Sequence, residues 1–199
     1  MTLARIQVER KSGKERFIVN NIELQFDLNS FWQWSSSDLV SNALRGVLAE
    51  YIVAIAIDAD LTVRTEWDSY DLLSPKGLKI EVKSASYIQT WRQERYSSIS
   101  FGIQPTSKWN PETNRVENEI KRQADVYVFC LLTHKEKESI DPMNLDQWEF
   151  YILESKILNE KLCNQKTLSL GTLLRLKPIA VNFSQIRDAI DNIENIRLK

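Results

Sequence analysis

The chain of 199 residues has one histidine and two cysteines, and these shortages narrow the chemistry at once. Two thiols cannot build a Cys-rich zinc site or a disulfide scaffold. A lone histidine, His134, excludes HExxH metalloprotease chemistry and any multi-histidine metal centre. Free Cys130 and Cys163 suit a reducing setting, and a cytoplasmic protein is expected. Long apolar runs are missing too. The best spans residues 51–57, whereas a membrane helix needs ~18–20. Residues 1–13 are mixed and charged, without the apolar core of a signal peptide, so export is not expected. There is no internal repeat, low-complexity tract or Gly/Ser linker. A hydrolase of this composition has carboxylates and lysines to work with.

What is present supports a folded domain. Apolar residues make up 43%, with six Trp, six Tyr and seven Phe, enough for a core in one domain spanning 1–199. The net charge of -1 hides an uneven distribution. Residues 1–75 carry 7 basic and 11 acidic groups, residues 76–122 carry 9 and 5, and residues 123–199 carry 10 and 11. The middle stretch is the candidate surface for a polyanion; the plain alternative is a solvated face.

Patterning gives the order of elements. Residues 4–26 read as short strands joined by a polar turn around Ser12-Gly13. Ser35, Ser36 and Ser37 offer caps for a helix over 38–57, which Asp58-Ala59-Asp60 ends. Residues 61–66 and 69–73 read as strands, and Ser74-Pro75-Lys76-Gly77 as a turn. Residues 78–83 alternate strictly between apolar and charged, as a half-buried strand does. Strands are expected at 99–103, 125–132 and 148–153, loop plus short helix over 107–122, and helices at 167–174 and 183–196. The run Asp125 to Leu132 suits a strand covered on both faces. The fold class is α/β with a mixed sheet.

Glu50 stands on the predicted helix with Gly46, Val47, Val53 and Ala54 as its three- and four-residue neighbours. A carboxylate on such a stripe must be hydrogen-bonded, neutralised or coordinating a cation. An ion pair with Arg64 or Arg45 is the plain alternative.

On the strand from Leu78 to Lys83, Leu78, Ile80 and Val82 share one face and Lys79, Glu81 and Lys83 the other. Pro75-Lys76-Gly77 suits a three-residue hairpin loop, a type I turn followed by Gly at positive φ. Ser74 then pairs with Leu78, and Asp71 falls opposite Glu81, with Cβ atoms ~4.5–5.5 Å apart. A four-residue loop would separate them. Asp68 has the opposite parity and should point away. Glu-x-Lys occurs four times, at Glu9, Glu81, Glu119 and Glu154. Only Glu81 lies on an alternating strand with an Asp on the preceding hairpin arm. The alternative is a surface salt-bridge ladder.

Asp71, nine intervening residues, then Glu81-Val82-Lys83-Ser84, with Glu50 on a preceding apolar helix, resembles the PD-(D/E)xK nuclease superfamily. The likeness covers about residues 38–132 and includes the strand order. Tyr70 stands where the motif name has Pro. The resemblance implies a restriction-endonuclease-like core over about 38–153, a central mixed β-sheet flanked by helices. Residues 1–37 would form an N-terminal strand extension and 154–199 a C-terminal helical extension. It further implies a Mg²⁺-dependent DNA endonuclease, with Mn²⁺ as a substitute. Asp71 and Glu81 would bind the metal, with Glu50 and the Val82 carbonyl completing the shell, and Lys83 would orient the attacking water. Many two-strand cutters of this kind are homodimers, but no dimer face is legible. Some members are inactive, so a catalytically silent nucleic-acid-binding or complex-forming subunit is the alternative.

The stretch after the strand, Ser84 to Tyr96, is rich in amides, aromatics and arginines. Gln89 and Gln93 are candidates to line the site; Trp91, Arg92 and Arg95 are candidates for a nucleic-acid surface, or for an ordinary amphipathic helix. Arg115, Lys121 and Arg122 are open between phosphate contact and solvation. Trp32, Trp34 and Trp148 are expected to pack in the core, Cys130 to be buried, and His134 to be incidental.

Overall fold

A computed structural model describes residues 6–64, 68–110 and 113–197. In chain order these residues form β1 (Arg16–Val19), β2 (Ile22–Asp27), α1 (Leu28–Ser36), α2 (Asn42–Ala56), β3 (Leu72–Leu73), β4 (Lys79–Ser86), β5 (Ser100–Gly102), β6 (Thr106–Asn110) and β7 (Arg115–Lys121). They continue with β8 (Val126–Leu132), β9 (Trp148–Glu154), α3 (Ser155–Lys161), β10 (Thr167–Ser169), α4 (Leu170–Arg175), β11 (Ile179–Val181) and α5 (Ile186–Arg197). None of these helices is long and apolar enough to cross a membrane.

The organising element is a five-stranded mixed sheet in the order β11-β9-β8-β4-β3. β4 and β8 run parallel and the other neighbours antiparallel. Every residue of β8 is buried, as its unbroken apolar run requires of a central strand. One face of the sheet, with Ile80, Val82, Val128 and Ile152, packs on Ile52 and Val53 of α2 and Ile190 of α5. The other, with Tyr127, Phe129 and Leu153, packs on Phe101 of β5, Leu158 of α3 and Leu173 of α4. The α/β class, the central mixed sheet with flanking helices, the N-terminal strands and the C-terminal helix are all present. The C-terminal stretch also supplies an edge strand, β11.

Local polar chemistry moves several boundaries. Ser35 and Ser36 lie inside α1, because Asp27 caps that helix through the Ser30 N–H at 2.8 Å. Asp38 accepts from the Val40 and Ser41 N–H groups, at 3.2 and 3.1 Å, and this tight turn delays α2 to Asn42. The first hairpin turns at Asn20-Asn21, both at positive φ (50° and 61°), and not at Ser12-Gly13. Residues 61–64 form no strand; residues 65 and 66 lie outside the described residues. The stretch expected as loop and short helix is instead the β6–β7 hairpin. Trp148 packs in the core as expected, whereas Trp32 and Trp34 are exposed.

Candidate active site

The site is built on the β3–β4 hairpin. The Ser74 N–H donates to the Leu78 carbonyl at 2.9 Å, and the Gly77 N–H to the Ser74 carbonyl at 2.9 Å. Gly77 takes φ +92°, the left-handed region that closes this three-residue loop without a Cβ penalty. Leu72 pairs with Ile80 and Leu73 with Lys79, so the next step of the same register sets Asp71 opposite Glu81. Asp71 Oδ2 accepts the Val82 N–H at 2.7 Å, which pins the carboxylate against the strand.

Glu81 and Lys83 emerge together on the face of β4 that follows Tyr127 and Phe129 of the adjacent β8. Lys83 Nζ donates to Glu81 Oε1 at 2.5 Å. Glu50 comes from α2, on the opposite face. β3 is the edge strand and only two residues long, so groups from both faces meet around its end. Glu50 is near enough to act electrostatically on both Asp71 and Lys83. It is also held by Arg64, with Nε 2.5 Å from Oε2 and Nη2 2.9 Å from Oε1.

The electrostatics follow from crowding like charges in a half-dry corner. Burial, then the Glu81 carboxylate, pushes the Asp71 carboxyl up to about 7; the Val82 N–H and Lys83 pull the other way. Burial alone would pull Lys83 down, but the charges of Glu81, Asp71 and Glu50 outweigh it and hold the ammonium above its usual range. Asp71 therefore sits where a cation would relieve it. Val82 gives its N–H to Asp71, and in an extended strand the carbonyl of the same residue leaves by the same edge. The available donors are two carboxylates and one carbonyl, all hard oxygen. That set suits Mg²⁺, which binds through one or two carboxylates and keeps several waters. Among the described residues, no group of three or more His, Cys, Asp or Glu side chains is placed to hold a metal ion.

Asp71 separates two hollows. One, about 460 Å³, is lined by Glu50, Arg64, Tyr70 and Asp71. The other, about 270 Å³, is lined by Asp71, Glu81, Tyr127, Thr106, Ser107 and Trp109. Asp68 lines both, contrary to its expected outward orientation, because residues 68–70 are bends and strand parity does not extend to them. Trp109 and Asp68 are residues that sequence reading missed. Trp109 lies in a polar stretch with no apolar alternation to mark a strand.

The proposed nucleic-acid residues lie elsewhere, and none lines either hollow. β4 continues to Ser86, so the loop that carries them starts roughly 10 Å beyond Lys83. Gln89 is buried and Gln93 half-buried. The Gln89 N–H donates to Gln93 Oε1 at 2.7 Å, and both amides donate to Ser97 Oγ, at 3.3 and 3.2 Å. They staple the loop. Trp91, Arg92 and Arg95 are exposed on it. Arg122 is 6% exposed. Its guanidinium donates to the carbonyls of Ile103 at 2.8 Å, Leu162 at 3.1 Å and Gln165 at 3.4 Å, and to Asn159 Oδ1 at 2.8 Å. Those bonds tie the segment after β5 to α3, and Arg122 also lines a hollow it shares with Lys79 and Lys121.

Two carboxylates and a lysine converging on a sheet edge form a site suited to hydrolysis, and comparison with known families agrees with that class. Residues 19–171 match the family model of bacteriophage T4 endonuclease IV. The chain belongs to this family and is therefore a nuclease by family. The match contains α2, the β3–β4 hairpin and the β6–β7 hairpin. No curated protein matches the chain.

Proposed function

We propose that this protein is a Mg²⁺-dependent DNA endonuclease of the PD-(D/E)xK type, with Asp71, Glu81 and Lys83 as its catalytic group. The observation that carries the reading is the hairpin register, which puts Asp71 against Glu81 with Lys83 on the same strand face. Asp71, Glu81 and the Val82 carbonyl would hold the cation, and Glu50 would add charge to the corner from the far side. When bound, Mg²⁺ supplies charge that polarises the scissile phosphate and acidifies a bound water. Lys83, steered by Glu81, donates to the attacking water and to the phosphate oxygens as negative charge grows on them. Thr106, Ser107 and Trp109 wall the hollow above Glu81 and hold the nucleotide at the cut.

Ser69 and Gln123 line this hollow and also a neighbouring one of about 590 Å³. The larger hollow is bordered by Lys79, Lys108, Lys121, Arg122, Lys156 and Arg197, and by Glu117, Glu154 and Asp125, which pair with Lys108, Lys156 and Arg197. The two share a wall, and the cations of the larger one, in excess over its three carboxylates, offer a path on which a phosphate backbone leaves the site. β6 supplies Thr106, Ser107 and Trp109 to one hollow and Lys108 to the other, across the register shift between Ser107 and Trp109.

Supercoiled plasmid incubated with the protein in Mg²⁺ is nicked or linearised. The product is absent in EDTA and with Asp71→Asn or Lys83→Ala. Cleavage that survives both substitutions removes these residues from catalysis. A second reading, a DNA-binding subunit without cleavage, is favoured by the Glu50–Arg64 pair, which leaves two rather than three carboxylates for a metal. DNA binding with no Mg²⁺-dependent product selects it.

A further inference from the structure

β4 carries Lys79, Glu81 and Lys83 on one face, each two residues from the next. Lys79 therefore stands about 6.6 Å along the strand from Glu81, on the side away from Lys83. It borders the hollow of about 590 Å³. The other cations around that hollow are already engaged. Lys108 lies 3.5 Å from Glu117, Lys121 2.6 Å from Glu119, Lys156 2.9 Å from Glu154 and Arg197 2.8 Å from Asp125. Arg122 donates to backbone carbonyls. Asp125 accepts the Lys79 backbone N–H on Oδ2 and Arg197 on Oδ1. Among the described residues the Lys79 ammonium makes no ion pair. It sits instead over the Tyr70 ring, 5.6 Å from the centroid. An aromatic face orients an ammonium without neutralising it, and leaves its N–H donors for another acceptor. Tyr70 is itself held, packed against the core that contains Tyr127 and Phe129, and it immediately precedes Asp71.

We propose that Lys79, braced by the Tyr70 ring, binds the phosphate next to the one that is cut and so anchors the nucleic-acid strand one nucleotide from the site. This rests on the nuclease reading of the site and adds which cation of the larger hollow does the holding. Ser69 and Gln123 border both this hollow and the one with Glu81, so a single ligand can run from Glu81 to Lys79. Such a ligand needs one anionic group at the corner of Asp71, Glu81 and Lys83 and a second at Lys79. A phosphodiester strand carries its charges at a fixed repeat, and the step of ~6.6 Å on β4 is comparable to the gap between successive phosphates of an extended strand. A lone phosphate or carboxylate has one such group and cannot fill both places. Lys79 touches no reacting atom, so it is a binding residue and not a catalytic one. A contact to phosphate carries no base information, so its contribution is the same for every sequence.

Fluorescence anisotropy of a labelled oligonucleotide in EDTA, over a series of salt concentrations, reads binding apart from cleavage. Lys79→Ala should weaken binding about tenfold for every sequence tried. It should also flatten the plot of log affinity against log salt by about 0.7 on a single strand or 0.9 on a duplex. Lys79→Gln, which keeps the stem and loses the charge, should repeat both changes. In Mg²⁺ the same variants should raise KM about tenfold with kcat within about twofold, unlike Lys83→Ala. Thermal melts should match the wild type, because the Lys79 side chain is exposed. Tyr70→Leu should weaken binding about threefold and add nothing in the Lys79→Ala background; where it does not melt cooperatively, Tyr70→Met replaces it. Lys161→Ala, an exposed lysine outside both hollows, should change neither affinity nor slope. A wild type that binds while Lys79→Ala binds as tightly and with the same slope overturns the proposal and leaves the nuclease reading standing. So does a Lys161→Ala variant that loses as much. An equal loss from Tyr70→Leu in both backgrounds overturns the role of the ring. If the wild type cuts but shows no binding in EDTA, an unchanged KM for Lys79→Ala overturns the proposal. DNA that is neither bound nor cut removes the nuclease reading, and the proposal with it.

Discussion

Two hairpins of this chain, β3–β4 and β6–β7, meet at the same hollow and are built in opposite ways. β4 is locked between β3 and β8, and its alternate residues Ile80 and Val82 are buried on α2. The β6–β7 ribbon pairs only with itself, and all seven residues of β7 are exposed. The first hairpin fixes charged groups that must not move. The second presents polar and aromatic groups to whatever enters. The difference teaches that a backed strand buys geometric precision, whereas an unbacked ribbon leaves its position to its partner.

The sharpest way to break this contrast is to remove charge from the fixed hairpin. Lys83→Ala should lower kcat by about 10²–10³, with the folded state intact by circular dichroism. Cutting the tie at the base of the loose hairpin should have a large effect on stability but not through the site. Arg122→Ala leaves buried carbonyls without donors and should cost about 3 kcal/mol in denaturant unfolding. Arg115→Ala, out on β7, should fall within ~0.5 kcal/mol of wild type.

Asp71 gives the pH test. Its folded value is raised to about 7, while the unfolded chain titrates near ~3.9. The folded state therefore holds a proton that the unfolded state releases. That stabilisation is fully present below about 4 and is lost as pH rises through about 7. In EDTA, Asp71→Asn should match wild type near pH ~4 and exceed it by about 1–3 kcal/mol near pH ~8. Equal pH slopes for the two proteins would show that Asp71 is neither desolvated nor crowded by Glu81. A smaller effect is expected at the turn. Gly77→Ala must hold positive φ and should cost about 1–2 kcal/mol. Smallest of all, Val116→Thr on the exposed ribbon should stay within ~0.5 kcal/mol.

Which parts were legible follows from where a buried face exists. The strict alternation of residues 78–83 announced β4, and Pro75-Lys76-Gly77 suggested its register, but a four-residue loop would have fitted another pairing and the folded hairpin decided between them. The run from Val126 announced a central strand. β6–β7 was illegible because solvent on both sides removes the apolar half of the pattern, so its polar residues look like loop. The ends of α1 and α2 were misplaced for a different reason. Asp27 and Asp38 each bond a backbone N–H a few residues on, and only the folded backbone says which carboxylate caps and which turns.

The sequence by itself narrowed the candidate chemistry: with one histidine and two cysteines, carboxylates and lysine formed the one pattern it offered, on a hairpin that brings Asp71 to Glu81. The tertiary structure decided everything that needed distant segments to meet. It gave Glu50 to Arg64, buried Arg122 among carbonyls, swung Asp68 into the hollow and set Trp109 beside Glu81. Local spacing can fix neighbours along a strand or across a tight turn. Which side chain meets a residue forty positions away depends on how the sheet's edge and faces are covered, and that is settled by packing.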